Sequence, residues 1–379
     1  MTNPISLELN DPLESFLYAL RAPETKRKYP QRLKFFFDTL LPKMNLKSQA
    51  LQFLSEAKRN DQFVYHAFVN FIVSQNKRVD KKDITPGTVR NYYKAAKLFC
   101  EMNDIVVNWK KIGKGLLREK QYGDDRIPTF DEITQLMKYP DRRIKPMVLV
   151  MASSGIRSGA WDYLRWKHIT PIERQSKIVA ANVLVYSGEP DEYFTFITPE
   201  AYFALKEWME FRSSYGEKIT GESYLMRDMW QTTNHKRGSV GLVSYPKQLK
   251  SSGIKSLMER ALRSQGVEKI LKQGTSHNTR REWKILHGFR KYFNSVLVNA
   301  NVNHIKKERM MGHDTRLENN YFKPTQEDLL SEYLKVVDLL TFNEEFRLRQ
   351  KIEKLEIEKT EFEALAADIS QIKKKVGLK

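Results

Sequence analysis

Apolar residues recur every three or four positions in three stretches of the first third of the chain. Residues 25–41, 61–74 and 87–102 each show this spacing, which predicts three amphipathic helices. The third follows Thr85 and Pro86, a threonine suited to the N-cap and a proline suited to the first helical position. Lysines and arginines occupy much of the remaining surface of the first and third helices.

A polar stretch separates these helices from the next group. Residues 114–127 are mostly charged or polar and contain two glycines, which is typical of a linker between domains. A new helix is predicted from Thr129, because Glu132 three residues later completes a capping box. An apolar helix is predicted over 146–153.

The periodicity then changes from helical to strand-like. Residues 177–186 and 193–197 are rich in valine, isoleucine, tyrosine and phenylalanine, and flank the turn sequence SGEPDE. This pattern predicts a β-hairpin. Helical spacing returns over 254–264 and 281–300, whereas residues 212–250 give no clear pattern.

The end of the chain, from Gln326, is predicted to be helical throughout. An apolar residue recurs every seven positions, at Leu348, Leu355, Phe362, Ile369 and Val376. The intermediate positions are only half apolar, namely Ile352, Lys359, Ala366 and Lys373. This predicts a thin coiled-coil seam suited to self-association. A long helix packed on its own protein, or a frayed one, would show the same pattern.

Composition indicates a polyanionic partner. The chain has 379 residues, of which 41% are hydrophobic, and this suits two domains with an appendage. The net charge of +19 favours binding to a polyanion, because phosphates release their counterions to lysine and arginine. Residues 1–120 carry 22 lysines and arginines against 12 acidic residues. A generic basic protein is the alternative.

Other features bear on the compartment. Cys100 is the only cysteine, so no intrachain disulfide is possible and a reducing compartment fits. No apolar run reaches about 18 residues, so no membrane span is expected. The first residues lack the basic and apolar regions of a signal peptide. We therefore expect an intracellular protein without a membrane partner.

Candidate chemistry lies within and after the helix predicted over 281–300. His287 and Arg290 form an H-x-x-R pattern, His313 follows Gly312 and lies 23 residues after Arg290, and Tyr321 comes eight residues later. Each element is a weak signal alone. In this order they could supply cationic donors and a nucleophile to a phosphate.

A second block upstream strengthens this interpretation. The apolar run from Met147 leads into Ser154–Arg157, which reads SGIR, and Leu164–Trp166 follows as LRW. Together the two blocks resemble the arginine boxes of the tyrosine recombinases, the phage-integrase family. The resemblance covers residues 128–323, about half of the chain.

This resemblance implies a mainly α fold organised as a C-shaped clamp on DNA. Residues 1–120 would form an N-terminal helical DNA-binding domain. Residues 121–343 would form an α-rich catalytic domain with a small antiparallel β-sheet, and 344–379 a long C-terminal helix or coiled-coil tail.

The resemblance also implies the roles of the site residues. Tyr321 would be the nucleophile, Arg157 and Arg290 would hold the phosphate oxygens, and His287 and His313 would donate to an oxygen or shuttle protons. Considered one at a time, the tyrosine would more often be a half-buried core residue, the arginines members of surface ion pairs, and the histidines core residues. No metal-ligand spacing and no nucleotide-binding loop occur, so neither metal nor cofactor is expected.

Two departures from the family pattern affect this site. Ala160 stands where the family has an acidic residue three positions after the first arginine, and Asp162 is out of phase by two. The hairpin turn SGEPDE lacks the lysine that the family uses as general acid. Lys177 is the nearest candidate, with Lys236 and Lys247 as alternatives.

Basic residues on two predicted helices are candidates for DNA contact. They are Lys26, Arg27, Lys28, Arg90, Lys94 and Lys97. The alternative is a solvated basic surface without a partner.

The predicted function is that of a site-specific DNA recombinase, an integrase of a mobile element. It would cleave double-stranded DNA through a 3′-phosphotyrosyl intermediate, as a homotetramer on two duplexes and as a monomer or dimer when free. The alternatives are a type IB topoisomerase-like relaxing enzyme and a catalytically idle DNA-binding protein of the same fold.

Overall fold

The predicted mainly α architecture with a small antiparallel sheet is confirmed. The computed structural model describes residues 11–119, 126–229, 247–267, 270–272, 279–281, 284–314 and 322–376. The chain divides into two compact units, one of Met1–Gly123 with Leu271–Arg280 and one of Asp124–Ile270 with Arg281–Lys379. Within the described ranges, no helix has the length and apolar character needed to cross a membrane.

Residues 11–119 of the first unit form helices. They are α1 (Pro12–Tyr18), α2 (Pro23–Asp38), α3 (Leu46–Arg59), α4 (Phe63–Asp80), α5 (Pro86–Met102) and α6 (Trp109–Gly113). Helix α2 packs along α5, and α1 contacts both α3 and α5. The predicted N-cap of α5 is confirmed, since the Thr85 side chain accepts a hydrogen bond from the Thr88 backbone N–H.

The core of the first unit is built from aromatic rings. Phe36, Phe37, Phe53 and Phe99 are fully buried, and the rings of Phe37 and Phe99 meet edge to face with centroids 5.2 Å apart. Such tilted contacts add to the hydrophobic stabilisation of the rings. The apolar faces of the helices therefore pack in this core, and their basic faces lie on the outside.

The second unit begins with α7 (Phe130–Met137), whose predicted capping box between Thr129 and Glu132 is confirmed. Its central element is α8 (Ile144–Ser154), which is buried along almost its whole length. Further helices are α9 (Pro199–Ser214), α10 (Ser251–Ser264), α11 (Ile285–Asn299) and α12 (His304–Met310). Helices α9 and α11 pack directly on α8, so α8 carries neighbours on several sides.

The sheet of the second unit has three antiparallel strands in the order β1-β2-β3. The predicted hairpin is present as β2 (Lys177–Val185) and β3 (Tyr193–Ile197), with Val185 opposite Tyr193. Strand β1 (Ile169–Arg174) was not predicted. A smaller sheet pairs β4 (Ile270–Lys272) with β5 (Thr279–Arg281), and α11 accordingly begins later than the predicted residue 281.

The helical end of the chain is interrupted twice, contrary to the prediction of one continuous helix. It consists of α13 (Gln326–Leu334), α14 (Val337–Leu340) and α15 (Glu344–Val376). The second break is fixed by Glu200, whose carboxylate accepts a hydrogen bond of 2.7 Å from the Phe342 backbone N–H. The Phe342 ring also stacks on Phe130 at 4.9 Å. Long-range contacts thus end the helix where its own sequence does not.

Candidate active site

Two turns, each with a glycine in the left-handed conformation, position residues of the candidate site. Helix α8 ends at Gly155 with φ of 61°, and Gly312, after α12, has φ of 62°. A Cβ on Gly155 would lie 2.4 Å from the Phe293 ring, and one on Gly312 would lie 2.4 Å from the Tyr193 ring. Only glycine satisfies both the left-handed backbone and the close packing. The two turns lead directly to Arg157 and His313.

Arg290 connects the two turns. Its guanidinium donates to the carbonyl oxygens of Gly155 and Met311, at 2.6 Å each. A third contact of 2.7 Å joins Arg290 Nη2 to His313 Nε2. The residue is only 6% exposed, and burial together with the charge of Arg157 lowers its pKa. The fork geometry of arginine holds this position rigidly.

Arg157 is half-buried and lies beside Arg290. Its Nη2 donates to the Gly312 carbonyl at 2.9 Å, so a main-chain oxygen orients it. Ala160, three positions later, carries no acid and is fully buried in the core. Asp162 instead accepts bonds of 2.6 and 3.0 Å from the backbone N–H and hydroxyl of Ser251, at the start of α10.

The two arginines form a site with excess positive charge. Within the described part of the chain, neither guanidinium forms an ion pair with a carboxylate. A charge taken out of water without an opposite partner is unfavourable. An anion bound between them would offset this cost, and a phosphate matches the planar forks of arginine.

His313 is held in one tautomer by its neighbours. Arginine can only donate, so His313 Nε2 accepts from Arg290 and Nδ1 carries the proton. That proton faces the Glu308 carboxylate in a short contact. Burial opposes ionisation of Glu308, but hydrogen bonds from Lys307 and His313 outweigh it and lower the pKa of this carboxyl. Glu308 was not among the predicted site residues.

Two tyrosines complete the described part of the site, and neither was predicted. The Tyr193 ring covers Gly312. The centroids of the Tyr186 and Tyr193 rings are 6.3 Å apart. Burial raises the pKa of both phenols, while the nearby charges of Arg157 and Arg290 act in the opposite direction. Both hydroxyls are therefore protonated near neutral pH.

The remaining predicted catalytic residues are placed as follows. His287 is exposed in the first turn of α11, one turn before Arg290. Lys177 begins β2, at the opposite end of that strand from the arginines. Tyr321 and Lys236 lie outside the described residues. The backbone carbonyl of Lys247 accepts from the Asp228 N–H.

On α2, Lys26, Arg27 and Lys28 are exposed, as their predicted role in DNA contact requires. Glu24 binds two of them, at 2.9 Å to Arg27 and 3.0 Å to Lys28. Hydrogen bonds from these two cations lower the pKa of Glu24 to about 2. The positive surface of α2 is thus partly neutralised by its own first turn.

On α5, Lys94 is exposed, whereas Arg90 and Lys97 are half-buried. Arg90 donates to the Leu117 carbonyl at 2.8 Å, and Lys97 lies 3.4 Å from Glu101. These contacts hold the side chains of two of the three candidates for DNA contact on α5. Among the described residues, Lys94 and Lys26 form no ion pair with an acid.

Neither a family model nor a curated protein sequence matches this chain. Several solved structures resemble it. XerA recombinase is 17% identical, with 92% of this chain and 98% of that chain covered and a TM-score of 0.34. The Tn1549 transposon integrase in complex with circular intermediate DNA is 14% identical, with 86% and 98% covered and a TM-score of 0.45. A lambda integrase dimer bound to a COC′ core site is 13% identical, with 83% and 84% covered and a TM-score of 0.42.

Proposed function

We propose that this chain is a tyrosine-type site-specific DNA recombinase, an integrase of a mobile element. The observation that carries the proposal is the pair Arg157 and Arg290. One is half-buried and the other buried, both are oriented by main-chain oxygens, and neither is paired with a carboxylate in the described part of the chain. Such a pair suits a phosphate whose charge grows in the transition state.

In the proposed reaction, a phosphate of the DNA backbone binds between the two guanidiniums. The hydroxyl of Tyr321 attacks phosphorus, the bond from phosphorus to the 5′ oxygen breaks, and a 3′-phosphotyrosyl link forms. When Arg290 Nη2 turns from His313 to the bound phosphate, the lone pair on His313 Nε2 is released and accepts the proton of Tyr321. Glu308 stabilises the imidazolium that results. The 5′-hydroxyl of a partner strand then attacks the link and restores the phosphodiester.

The reaction conserves the energy of the phosphodiester, so neither a metal nor a nucleotide cofactor is required. Residues 1–120 and 121–343 would grip double-stranded DNA as two domains, with 344–379 as an assembly tail. Four protomers would act on two duplexes. The basic net charge of +19 fits this partner.

The test uses a duplex with a nick near the cleavage site, which traps a covalent complex because the short strand diffuses away. Wild-type protein should become attached, whereas Tyr321→Phe should bind the duplex equally well without attachment, because only the nucleophilic oxygen is lost. Covalent complex in Tyr321→Phe would rule out this nucleophile. Binding without attachment by the wild type would favour an idle DNA-binding protein, and cleavage without strand exchange a topoisomerase-like enzyme.

A further inference from the structure

Cleavage leaves a negative charge on the departing 5′ oxygen, and an alkoxide is a poor leaving group unless it receives a proton. If the proposed function is correct, the site must therefore contain a proton donor. Lys177 starts β2, and the arginines lie at the other end, where Val185 is paired with Tyr193. Eight residues of extended strand span roughly 26 Å, well beyond the reach of a lysine side chain.

Tyr186 follows Val185 and lies at the end of the sheet where the arginines are. Its hydroxyl is 3.5 Å from the position that a Cβ would take on Gly159, two residues after Arg157. Its ring neighbours that of Tyr193, which in turn covers Gly312. The side chain is half-buried, so part of it is open to a ligand.

The backbone of Tyr186 is unusual. Its φ of 55° is uncommon for a bulky side chain, and such conformations persist where the surroundings enforce them, often at functional sites. The residue directly precedes the turn SGEPDE, in which no lysine occurs. Tyr186 therefore brings a phenol to the start of a turn that contains no lysine or arginine.

We propose that Tyr186 is the general acid of strand cleavage. As the bond between phosphorus and the 5′ oxygen breaks, the phenolic proton moves to that oxygen, giving a 5′-hydroxyl and a tyrosinate. The charges of Arg157 and Arg290 stabilise the tyrosinate. In strand joining the proton returns from the attacking 5′-hydroxyl to Tyr186 as the phosphodiester re-forms and Tyr321 is released.

The test compares two substrates and a conservative variant. Ordinary nicked DNA is paired with the same duplex carrying sulfur in place of the 5′ oxygen at the scissile phosphate, since a thiolate leaves without a proton. Tyr186→Phe should slow attachment to ordinary DNA by about 10²-fold or more, as expected for loss of a general acid. On the sulfur substrate its rate should come within a few-fold of wild type.

Two controls isolate the hydroxyl of Tyr186. Tyr163→Phe removes the hydroxyl of a neighbouring ring, 5.3 Å away between centroids, and Lys177→Ala removes the alternative donor. Both variants should attach to both substrates at the wild-type rate. DNA binding and thermal melting of Tyr186→Phe should match wild type, because the ring is retained.

Each result has a distinct consequence. A normal rate for Tyr186→Phe on ordinary DNA would exclude it as the donor. An equal loss on both substrates would also overturn the proposal, because a thiolate needs no proton to leave and should restore the rate of a variant that lacks only the proton donor. A Lys177→Ala variant rescued by sulfur would assign the role to that lysine. Wild-type protein that attaches to neither substrate would refute the proposed function itself and this inference with it.

Discussion

The basic face of α2 and the arginine pair of the second unit both consist of cationic side chains, but the two sets differ in burial and in their partners. Arg27 and Lys28 are exposed and share Glu24 as a partner. Arg290 is buried, and the described residues around it include neutral acceptors, namely two carbonyls and an imidazole, but no carboxylate within ion-pair distance. A cation whose charge is already balanced gains little from a phosphate, whereas an unbalanced, partly desolvated cation gains much.

Location and partners therefore matter more than the number of charges. Exposed ion pairs contribute about 0–1 kcal/mol, and salt screens the attraction of exposed cations to DNA beyond roughly 8 Å at physiological ionic strength. Neither limit applies to Arg290, which lies in a low-dielectric position beside Arg157. Net charge predicts that the protein binds a polyanion, whereas the pair of Arg157 and Arg290 predicts where a phosphate of that polyanion binds.

The largest effect should come from removing either arginine of the pair. Arg157→Ala and Arg290→Ala should each slow covalent attachment by on the order of 10²-fold or more, because each removes a donor to the charged transition state. The measurement is the rate of attachment to nicked DNA under single-turnover conditions. Near-normal cleavage by either variant would remove that residue from the site.

The two variants should differ in stability, which sharpens the comparison. Arg290→Ala leaves the buried carbonyls of Gly155 and Met311 without their donor, which costs on the order of 1–3 kcal/mol for an unsatisfied group. Arg157 is half-buried and, among the described residues, donates to one acceptor, the Gly312 carbonyl. A chemical denaturation curve should therefore shift further for Arg290→Ala than for Arg157→Ala.

A smaller effect should follow from Gly312→Ala. The new Cβ would lie 2.4 Å from the Tyr193 ring at a φ of 62°, so either the ring or the turn beneath His313 must move. Gly266→Ala is the matched control, since it shares a positive φ of 67° but has nothing within 4 Å. Gly266→Ala should lose roughly 1–2 kcal/mol of folding stability from backbone strain. Gly312→Ala should lose more and cleave about tenfold more slowly, and equal effects would show that packing against Tyr193 is unimportant.

The sequence predicted those parts of the fold that local chemistry determines. The cap at Thr85 and the capping box at Thr129 need only residues three positions apart, and both are present. Strand β1 was missed because Ile169–Arg174 contains a proline and two charges, and its pairing with β2 decides its conformation. The helix break at Phe342 depends on Glu200, which is distant in sequence.

The site was predictable only where a motif marks it. Arg157, Arg290 and His313 belong to the two quoted blocks, and the structure brings them together. Glu308 and Tyr186 reach the site through the packing of α12 and the end of β2, and spacing alone gives no sign of either. The only available hint for Glu308 was a carboxylate five residues before His313.

The exposed apolar seam of α15 should contribute to the assembly of protomers rather than to DNA binding. Leu348, Ile352, Leu355 and Phe362 are each more than half exposed, and residues 344–379 carry nine basic against eight acidic residues. Deleting residues 344–379 should leave single-site binding in a gel shift nearly unchanged, while strand exchange between two labelled duplexes falls about tenfold, because a seam of this kind joins helices. Equal loss in both assays, or in neither, would tell against an assembly role.

The smallest effect should separate two neighbouring cations on α2. Lys26→Ala and Arg27→Ala change the net charge equally, but Arg27 binds Glu24 and Lys26 has no acidic partner among the described residues. A residue that neutralises a phosphate contributes about one unit to the slope of log Kd against log salt. Lys26→Ala should therefore lower that slope by about one and weaken binding a few-fold, whereas Arg27→Ala should change it by less than half as much. Identical slopes for the two variants would mean that overall charge, and not the pairing of each cation, governs how this surface meets DNA.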